Sequence, residues 1–202
     1  MELFVLATLV AFTLWKLKVQ DQGRRIALLG SHLGKYQIEK LMESLTQGYL
    51  RALGEDDPQR REQVFNLLRS TEQDLCSQFG RFAADFARAD EADTRVSTLP
   101  VYLPMAAKLY PKASFDLRQA LAIHARGISR AVEDGGQAAE KERAFAISAE
   151  LFLMQHSCHW FCKSRMVASA RMLARHQTSW EQLVAAVLPE TRSAYCALVG
   201  QR

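Results

Sequence analysis

Few residues of this sequence favour β-structure or interrupt helices. The chain has 202 residues, of which only 10 are Gly and 5 are Pro. Val, Ile and Thr together number 24, against 28 Ala and 26 Leu. Because strands favour β-branched residues and helices favour Ala and Leu, an all-β fold is excluded, as is a Gly- and Pro-rich disordered chain. We predict an all-α protein: an antiparallel bundle of about five to six helices with an N-terminal hydrophobic anchor helix.

A large excess of one charge sign is also missing. The chain carries 26 Lys and Arg against 22 Asp and Glu, which gives a net charge of +4. A protein that neutralises many phosphates concentrates its cations far more strongly. We therefore expect no nucleic acid among its partners.

Recognisable catalytic motifs are absent from the sequence. Neither the nucleophile-elbow, phosphate-loop and dinucleotide-binding patterns nor the H-E-x-x-H zinc pattern occurs. The carboxylates of Asp85 and Glu150 are interpreted as solvated or paired, since the sequence offers no partner that would shift their pKa values. We nominate no catalytic residue and expect a binding protein rather than an enzyme.

One long apolar run is present, at the N-terminus. Leu3 to Trp15 comprises thirteen residues without charge, Gly or Pro, and Lys16 and Lys18 follow it. A membrane span needs about 17–25 residues, and Leu3 to Val19 reaches this lower bound if the lysine stems extend to the interface. We predict a membrane-anchor helix at residues 1–19, with Trp15 at the membrane interface.

The flanking charges predict an orientation for this helix. The nearest cations, Lys16, Lys18, Arg24 and Arg25, all follow the run, and positive flanks stay on the cytoplasmic side. The prediction is a single-pass protein of the inner, cytoplasmic membrane, with its N-terminus outside and residues 20–202 in the cytoplasm. Three alternatives remain: a buried or partner-covered helix, a helix lying on the membrane, and a cleaved signal, which Glu2 and the lack of an A-x-A site disfavour.

Residues 20–202 show helical spacing of apolar residues, interrupted at one long segment. Helices are predicted at 25–53, with a bend near 30–34, and at 58–89, where Asp57 is the cap and Pro58 the first residue. Three of the five prolines lie within 90–114, which predicts a loop with at most a short helix at 104–110. Further helices are predicted at 114–132, 138–176, 179–188 and 189–199, with a capping box at Thr178 and Glu181 before the third of these.

One cluster of residues has possible chemistry. His156, Cys158, His159 and Cys162 fall within seven residues of the predicted long helix. At 100° per residue the last three share an arc of about 100°, and His156 lies at its edge. Thiol and imidazole ligands suit Zn or another transition metal, and the remaining ligand would come from Cys76, His124 or Cys196. The alternative is that these thiols are small buried apolar residues and His159 is a hydrogen-bonded core histidine.

Two functional hypotheses follow. The first is a membrane-anchored interaction or accessory protein, an adaptor or regulatory subunit without a cofactor, which contacts the membrane through residues 3–19 and binds a protein partner. The second is a metal- or haem-binding helical sensor or redox protein that uses the His156 to Cys162 cluster. A third class, an enzyme that uses a pocket of the bundle, has no residue set to nominate. No family resemblance decides among these hypotheses.

Overall fold

The computed structural model describes residues 1–133 and 140–200, and these form helices joined by short connections and one small sheet. The helices are α1 (Glu2–Leu33), α2 (Ile38–Leu53), α3 (Pro58–Phe86), α4 (Glu91–Thr94), α5 (Ala106–Leu109), α6 (Leu117–Glu133), α7 (Glu140–Cys162), α8 (Arg165–His176), α9 (Trp180–Ala186) and α10 (Pro189–Val199). The strands are β1 (Arg95–Ser97) and β2 (Ser114–Asp116). The all-α prediction is confirmed, although the described part of the chain holds more and shorter helices than expected.

Local sequence signals explain where several helices begin. Asp57 caps α3 by accepting a hydrogen bond from the Gln59 amide at 2.9 Å, and Pro58 is the first helical residue, as predicted. The capping box before α9 is displaced by one residue from the prediction. It is formed by Ser179 and Gln182, which exchange side-chain to backbone hydrogen bonds of 3.2 and 2.8 Å.

The predicted helix 138–176 is interrupted. Its start falls outside the described residues; α7 ends at Cys162, and α8 starts after Ser164. Ser164 has an extended backbone, and its hydroxyl accepts from the Val167 amide at 3.3 Å. The prediction of one uninterrupted helix is wrong because Ser164 caps a new helix in a stretch that contains neither Gly nor Pro.

The core lies around α7, which packs against α1, α2, α6, α8 and α9. The Phe residues on the later turns of α3 contribute fully buried rings, and Phe86 meets Phe161 of α7 edge to face with ring centroids 6.2 Å apart. Helix α2 packs along α3, and α6 packs between α3 and α7. Because α7 is surrounded, it buries residues on most of its circumference, unlike an amphipathic surface helix.

The segment predicted as a loop at 90–114 is largely structured. Strands β1 and β2 pair antiparallel with Val96 opposite Phe115, and the short helix α5 lies within the predicted window 104–110. The Trp160 indole N–H donates to the Ser97 carbonyl at 3.0 Å, which ties this sheet to α7. The prediction missed the sheet because three-residue strands are too short to show a periodic pattern.

Helix α1 overturns the predicted membrane topology. Within residues 1–133 and 140–200, no helix has both the length and the apolar character required to cross a bilayer. Helix α1 is 32 residues long, but its uncharged run of thirteen residues covers only about 20 Å, against about 30 Å of hydrocarbon. The predicted single-pass localisation, with the N-terminus outside and residues 20–202 in the cytoplasm, is therefore wrong. The predicted boundary at residue 19 falls inside α1, which continues unbroken to Leu33.

Candidate functional site

The N-terminal arm, residues 2–19 of α1, projects from the helical body. Every residue from 1 to 20 is exposed, whereas the second half of α1 packs against α3 and α7. The large apolar side chains exposed on the arm are Leu3, Phe4, Val5, Leu6, Leu9, Val10, Phe12, Leu14, Trp15, Leu17 and Val19. They occupy all sides of the helix, so the arm has no polar face.

The two hydroxyl groups of the arm are satisfied within the helix. Thr8 donates to the Phe4 carbonyl at 2.9 Å, and Thr13 donates to the Leu9 carbonyl at 2.8 Å. Because each hydroxyl hydrogen bonds to the carbonyl four residues earlier, neither needs water as an acceptor. From Leu3 to Leu14 the arm therefore presents an apolar surface whose side-chain donors are already paired.

A second exposed apolar surface lies next to the base of the arm. It is the apolar loop, residues 99–110, whose large exposed apolar side chains are Val101, Leu103, Met105, Leu109 and Tyr110. Met105 has a φ of 58°, a left-handed conformation that is costly for a residue with a Cβ. This turn directs the chain into α5, whose Ala106 is buried while Met105 itself is 59% exposed.

Polar contacts join the apolar loop and the preceding segment to α1. The Tyr102 hydroxyl donates to the Asp21 carboxylate, and Arg24 forms an ion pair with Asp93. Arg25 Nε also donates to Asp21, at 2.9 Å. Burial and the Asp21 carboxylate both raise the pKa of Tyr102, so its hydroxyl remains a donor. The arm and the apolar loop are thus held on one end of the molecule.

The predicted thiol and histidine cluster is partly brought together. Cys158, His159 and Cys162 face α1 and α2, and they line one apolar groove of about 230 Å³. We call it the thiol groove; it is also lined by Ile26, Leu29, Gly30, Leu33, Ile38, Glu39, Met42, Phe82, Met154 and Gln155. The predicted common face of these three residues agrees with this arrangement.

The groups of the thiol groove favour neutral forms. Burial raises the pKa of the Cys158 thiol to about 12 and also raises that of Cys162. Burial lowers the pKa of His159, helped by Arg171 and Arg175, and Arg171 Nη1 lies 3.3 Å from His159 Nδ1. Since thiolates are the nucleophiles and metal ligands, neither thiol is prepared for those roles at neutral pH.

The other proposed metal ligands lie elsewhere. His156 is buried on another side of α7, where its Nε2 lies 3.0 Å from Ser169 Oγ. His124 is paired with Ser157 at 2.9 Å, and neither Cys76 on α3 nor Cys196 on α10 lines the thiol groove. Among the residues that the structure describes, no group of three or more His, Cys, Asp or Glu side chains is arranged to hold a metal ion. The metal or haem hypothesis stays a prediction without geometric support.

A buried ion pair between α3 and α7 was not foreseen. Glu72 and Arg143 are 2% and 3% exposed, and their Oε2 and Nε atoms are 3.6 Å apart. The Tyr49 hydroxyl donates to the other oxygen of Glu72 at 2.7 Å. No signal in the sequence distinguishes these charges from solvated ones, because each lies in a helix with many exposed charges.

The two carboxylates singled out in the sequence have different environments. Asp85 is paired with Lys35 and His32, as the paired interpretation predicts, but these partners also lower its pKa, which the sequence did not indicate. Glu150 is instead fully buried, and one oxygen accepts from the Leu188 amide at 3.0 Å. Burial raises its pKa to about 7. The expectation that no environment shifts Glu150 is therefore wrong.

Gly127 provides the space for Glu150. A Cβ on Gly127 would lie 2.4 Å from Glu150 Oε2 and 2.4 Å from Thr191 Oγ1. The close approach of α6 to α7 and α10 therefore requires a glycine at this position. The buried carboxylate is a structural feature at the start of α10, since its hydrogen-bond partner Leu188 is the N-cap of that helix.

Comparison with known proteins adds no family. No protein-family model, curated protein or solved structure matches the chain. The arm, the apolar loop and the thiol groove are therefore the features of the molecule that bear on its function.

Proposed function

We propose that this is an interaction protein, an accessory or regulatory subunit, that docks onto a lipid surface from one side through the N-terminal arm and the apolar loop. The observation that carries the proposal is the concentration of exposed large apolar side chains on the arm. Soluble monomeric proteins rarely expose a contiguous apolar surface of this kind unless it is a binding surface. The arm does not cross the bilayer in this arrangement.

The shape of the arm favours lipid over a protein groove as the occupant. A helix that docks in a groove needs one apolar stripe, whereas the arm is apolar on all sides. Acyl chains can surround such a helix completely. The internal hydrogen bonds of Thr8 and Thr13 remove the main cost of placing its hydroxyls in hydrocarbon.

The charges at the ends of the arm limit its depth. Lys16 and Lys18 follow Trp15 directly, and lysine, arginine and tryptophan side chains are favoured at headgroup level. Glu2 lies at the other end of the arm, so both ends of this straight helix reach headgroup depth only when it lies nearly parallel to the surface within one leaflet. The apolar side chains between the two ends then enter the outer part of the acyl region.

The apolar loop provides a second contact. Tyr102 and Asp21 tie this loop to α1 immediately after the arm, so Val101 and Leu103 lie at the end of the molecule that carries the arm. Two contacts orient the helical body relative to the surface, whereas the arm alone would leave it free to rotate. A body held in one orientation can present its remaining surface to a protein partner, as an adaptor or regulatory subunit does.

The experiment compares vesicle binding of two matched double variants. Leu6→Glu with Leu9→Glu alters the arm, and Leu50→Glu with Leu67→Glu alters leucines on α2 and α3 that are somewhat more exposed than those of the arm. Two leucines that become buried in lipid contribute about 4 kcal/mol to the binding free energy, or about a thousandfold in affinity. We expect the arm variant to lose at least about a hundredfold in co-sedimentation with phosphatidylcholine vesicles, and the control to bind like the wild type.

Two results would overturn the proposal. One is absence of wild-type binding to these vesicles. The other is self-association in solution that the arm variant abolishes, measured by sedimentation velocity over a range of protein concentrations, since the occupant of the arm would then be a second copy of the chain.

A further inference from the structure

A cavity of about 220 Å³ lies at the base of the arm, between α1 and the segment 92–108. We call it the arm-base cavity; its lining includes Leu17, Asp21, Arg24, Arg25, Asp93, Met105 and Lys108. Its volume is equivalent to about seven water molecules of the liquid. Its lining combines charged side chains with apolar ones from both elements.

The charges of the arm-base cavity leave cations available. Arg25 is committed to the structure, since it donates to Asp21 and its guanidinium lies 5.3 Å from the centre of the Phe161 ring. Arg24 pairs with Asp93, but its side chain is 63% exposed. Lys108 is exposed and has no carboxylate within ion-pair distance among the described residues. The cavity therefore has one more cation than carboxylates, and its two least constrained charges are positive.

The position of the cavity gives these cations a partner. Leu17 and Met105 belong to the arm and the apolar loop, so the cavity opens where the two apolar surfaces meet. If those surfaces lie in lipid, the cavity lies at the depth of the headgroups. Lys16 and Lys18 are on the same side of the molecule as part of the arm and add a diffuse positive potential there.

We propose that the arm-base cavity binds the phosphate of an anionic phospholipid headgroup. Arg24 and Lys108 donate to the phosphate oxygens, and Leu17 and Met105 contact the glycerol and the first acyl carbons. Arg24 exchanges its exposed pairing with Asp93 for the phosphate, and a guanidinium pairs well with two phosphate oxygens. This inference rests on the proposed docking of the arm, and it names the lipid class that the docked protein selects.

The experiment measures binding of monomeric short-chain phosphatidic acid to the full chain by titration calorimetry. The cavity variant is Arg24→Gln with Lys108→Gln. The matched control is Lys40→Gln with Arg51→Gln, which also removes one lysine and one arginine charge, but from exposed residues of α2 that do not line the cavity. We expect the cavity variant to lose at least about tenfold in affinity, since each contact to a charged group contributes about 1.5–3 kcal/mol. The control should bind like the wild type.

Additional measurements distinguish a lipid phosphate from free phosphate. They also distinguish failure of the cavity site from failure of the proposed docking. Inorganic phosphate that bound as tightly as short-chain phosphatidic acid would overturn the lipid assignment. Equal losses in the two double variants, or no binding by the wild type, would overturn the cavity site even if phosphatidylcholine vesicles still bound through the arm. Headgroup binding without any vesicle binding would support the cavity and overturn the docking function.

Discussion

The arm and α7 are both rich in apolar residues, but the arm is exposed to solvent whereas α7 is buried. The arm exposes its apolar side chains on all sides, while α7 buries both apolar residues and three titratable ones, Arg143, Glu150 and His156. The difference comes from neighbours rather than composition. Five helices surround α7, whereas nothing in the described chain covers the arm. A high apolar content therefore indicates that a helix is stabilised by removal from water. Whether the chain itself buries that helix depends on which other helices pack around it.

Removing one partner of the buried ion pair of α7 should have the largest effect. Glu72→Ala leaves Arg143 charged, buried and without its carboxylate, and such changes cost about 3–5 kcal/mol. The measurement is the free energy of unfolding in urea. Glu62→Ala, an exposed carboxylate on the same helix, is the control and should change it by less than about 0.5 kcal/mol. A loss below about 1 kcal/mol for Glu72→Ala would show that the pair is not sealed from water.

The buried carboxylate of α7 should make stability depend on pH. The folded pKa of Glu150 is about 7 against an ordinary value of 4.5, so the folded state holds its proton more tightly than the unfolded state. Stability from this group is fully present below about 4.5 and is lost as the pH rises through about 7, by up to about 3 kcal/mol. Glu150→Gln should remove this dependence, so its stability relative to the wild type should increase over that range.

The control for this pH profile must account for the buried histidines. His124 and His156 have folded pKa values of about 3 against an ordinary value of 6.5. Their contribution to the free energy of unfolding therefore decreases as the pH falls below 6.5, which is the opposite of the change expected from Glu150. Both histidines are present in Glu150→Gln, and the difference between variant and wild type therefore isolates Glu150. The exposed Glu142→Gln on the same helix should follow the wild type at each pH. A wild-type profile parallel to that of Glu150→Gln would contradict the prediction.

Deleting the arm should have the smallest effect on folding. Removal of residues 2–19 takes away only exposed side chains, so the free energy of unfolding of the body should change by less than about 0.5 kcal/mol. In the other half of α1, Leu29→Ala should cost about 2–5 kcal/mol, because Leu29 is 6% exposed within the core. Urea unfolding of both variants tests the contrast. A loss above about 1 kcal/mol on deletion would mean that the arm packs against the body.

Local patterns predicted the parts of the fold that depend on near neighbours in sequence. The Asp57 and Pro58 start of α3 and the interruption between α1 and α2 near Gly34 follow from capping and glycine signals. The break at Ser164 and the pairing of Val96 with Phe115 were missed. Both depend on contacts to distant residues, since Trp160 anchors the sheet and the Met166 amide donates to the Pro100 carbonyl at 3.2 Å.

The candidate sites were predictable to different degrees. The apolar run of the arm is continuous in sequence, and the shared face of Cys158, His159 and Cys162 follows from helical spacing, so both were visible. The arm-base cavity was not, because Arg24 and Lys108 are 84 residues apart in the numbering and meet only through the fold. The buried position of Glu150 was not visible either, because it depends on the space left by Gly127.

The helical class, several helix starts and the apolar run followed by lysines could all be predicted from the sequence. These properties arise from backbone propensity, capping and residue spacing, which act over a few residues. The fold was needed to show that the arm is exposed, that the apolar loop joins its base, and that Glu72, Arg143 and Glu150 are buried. This is because burial depends on which distant surfaces the fold brings into contact, and the sequence of one helix does not specify which other helices pack against it.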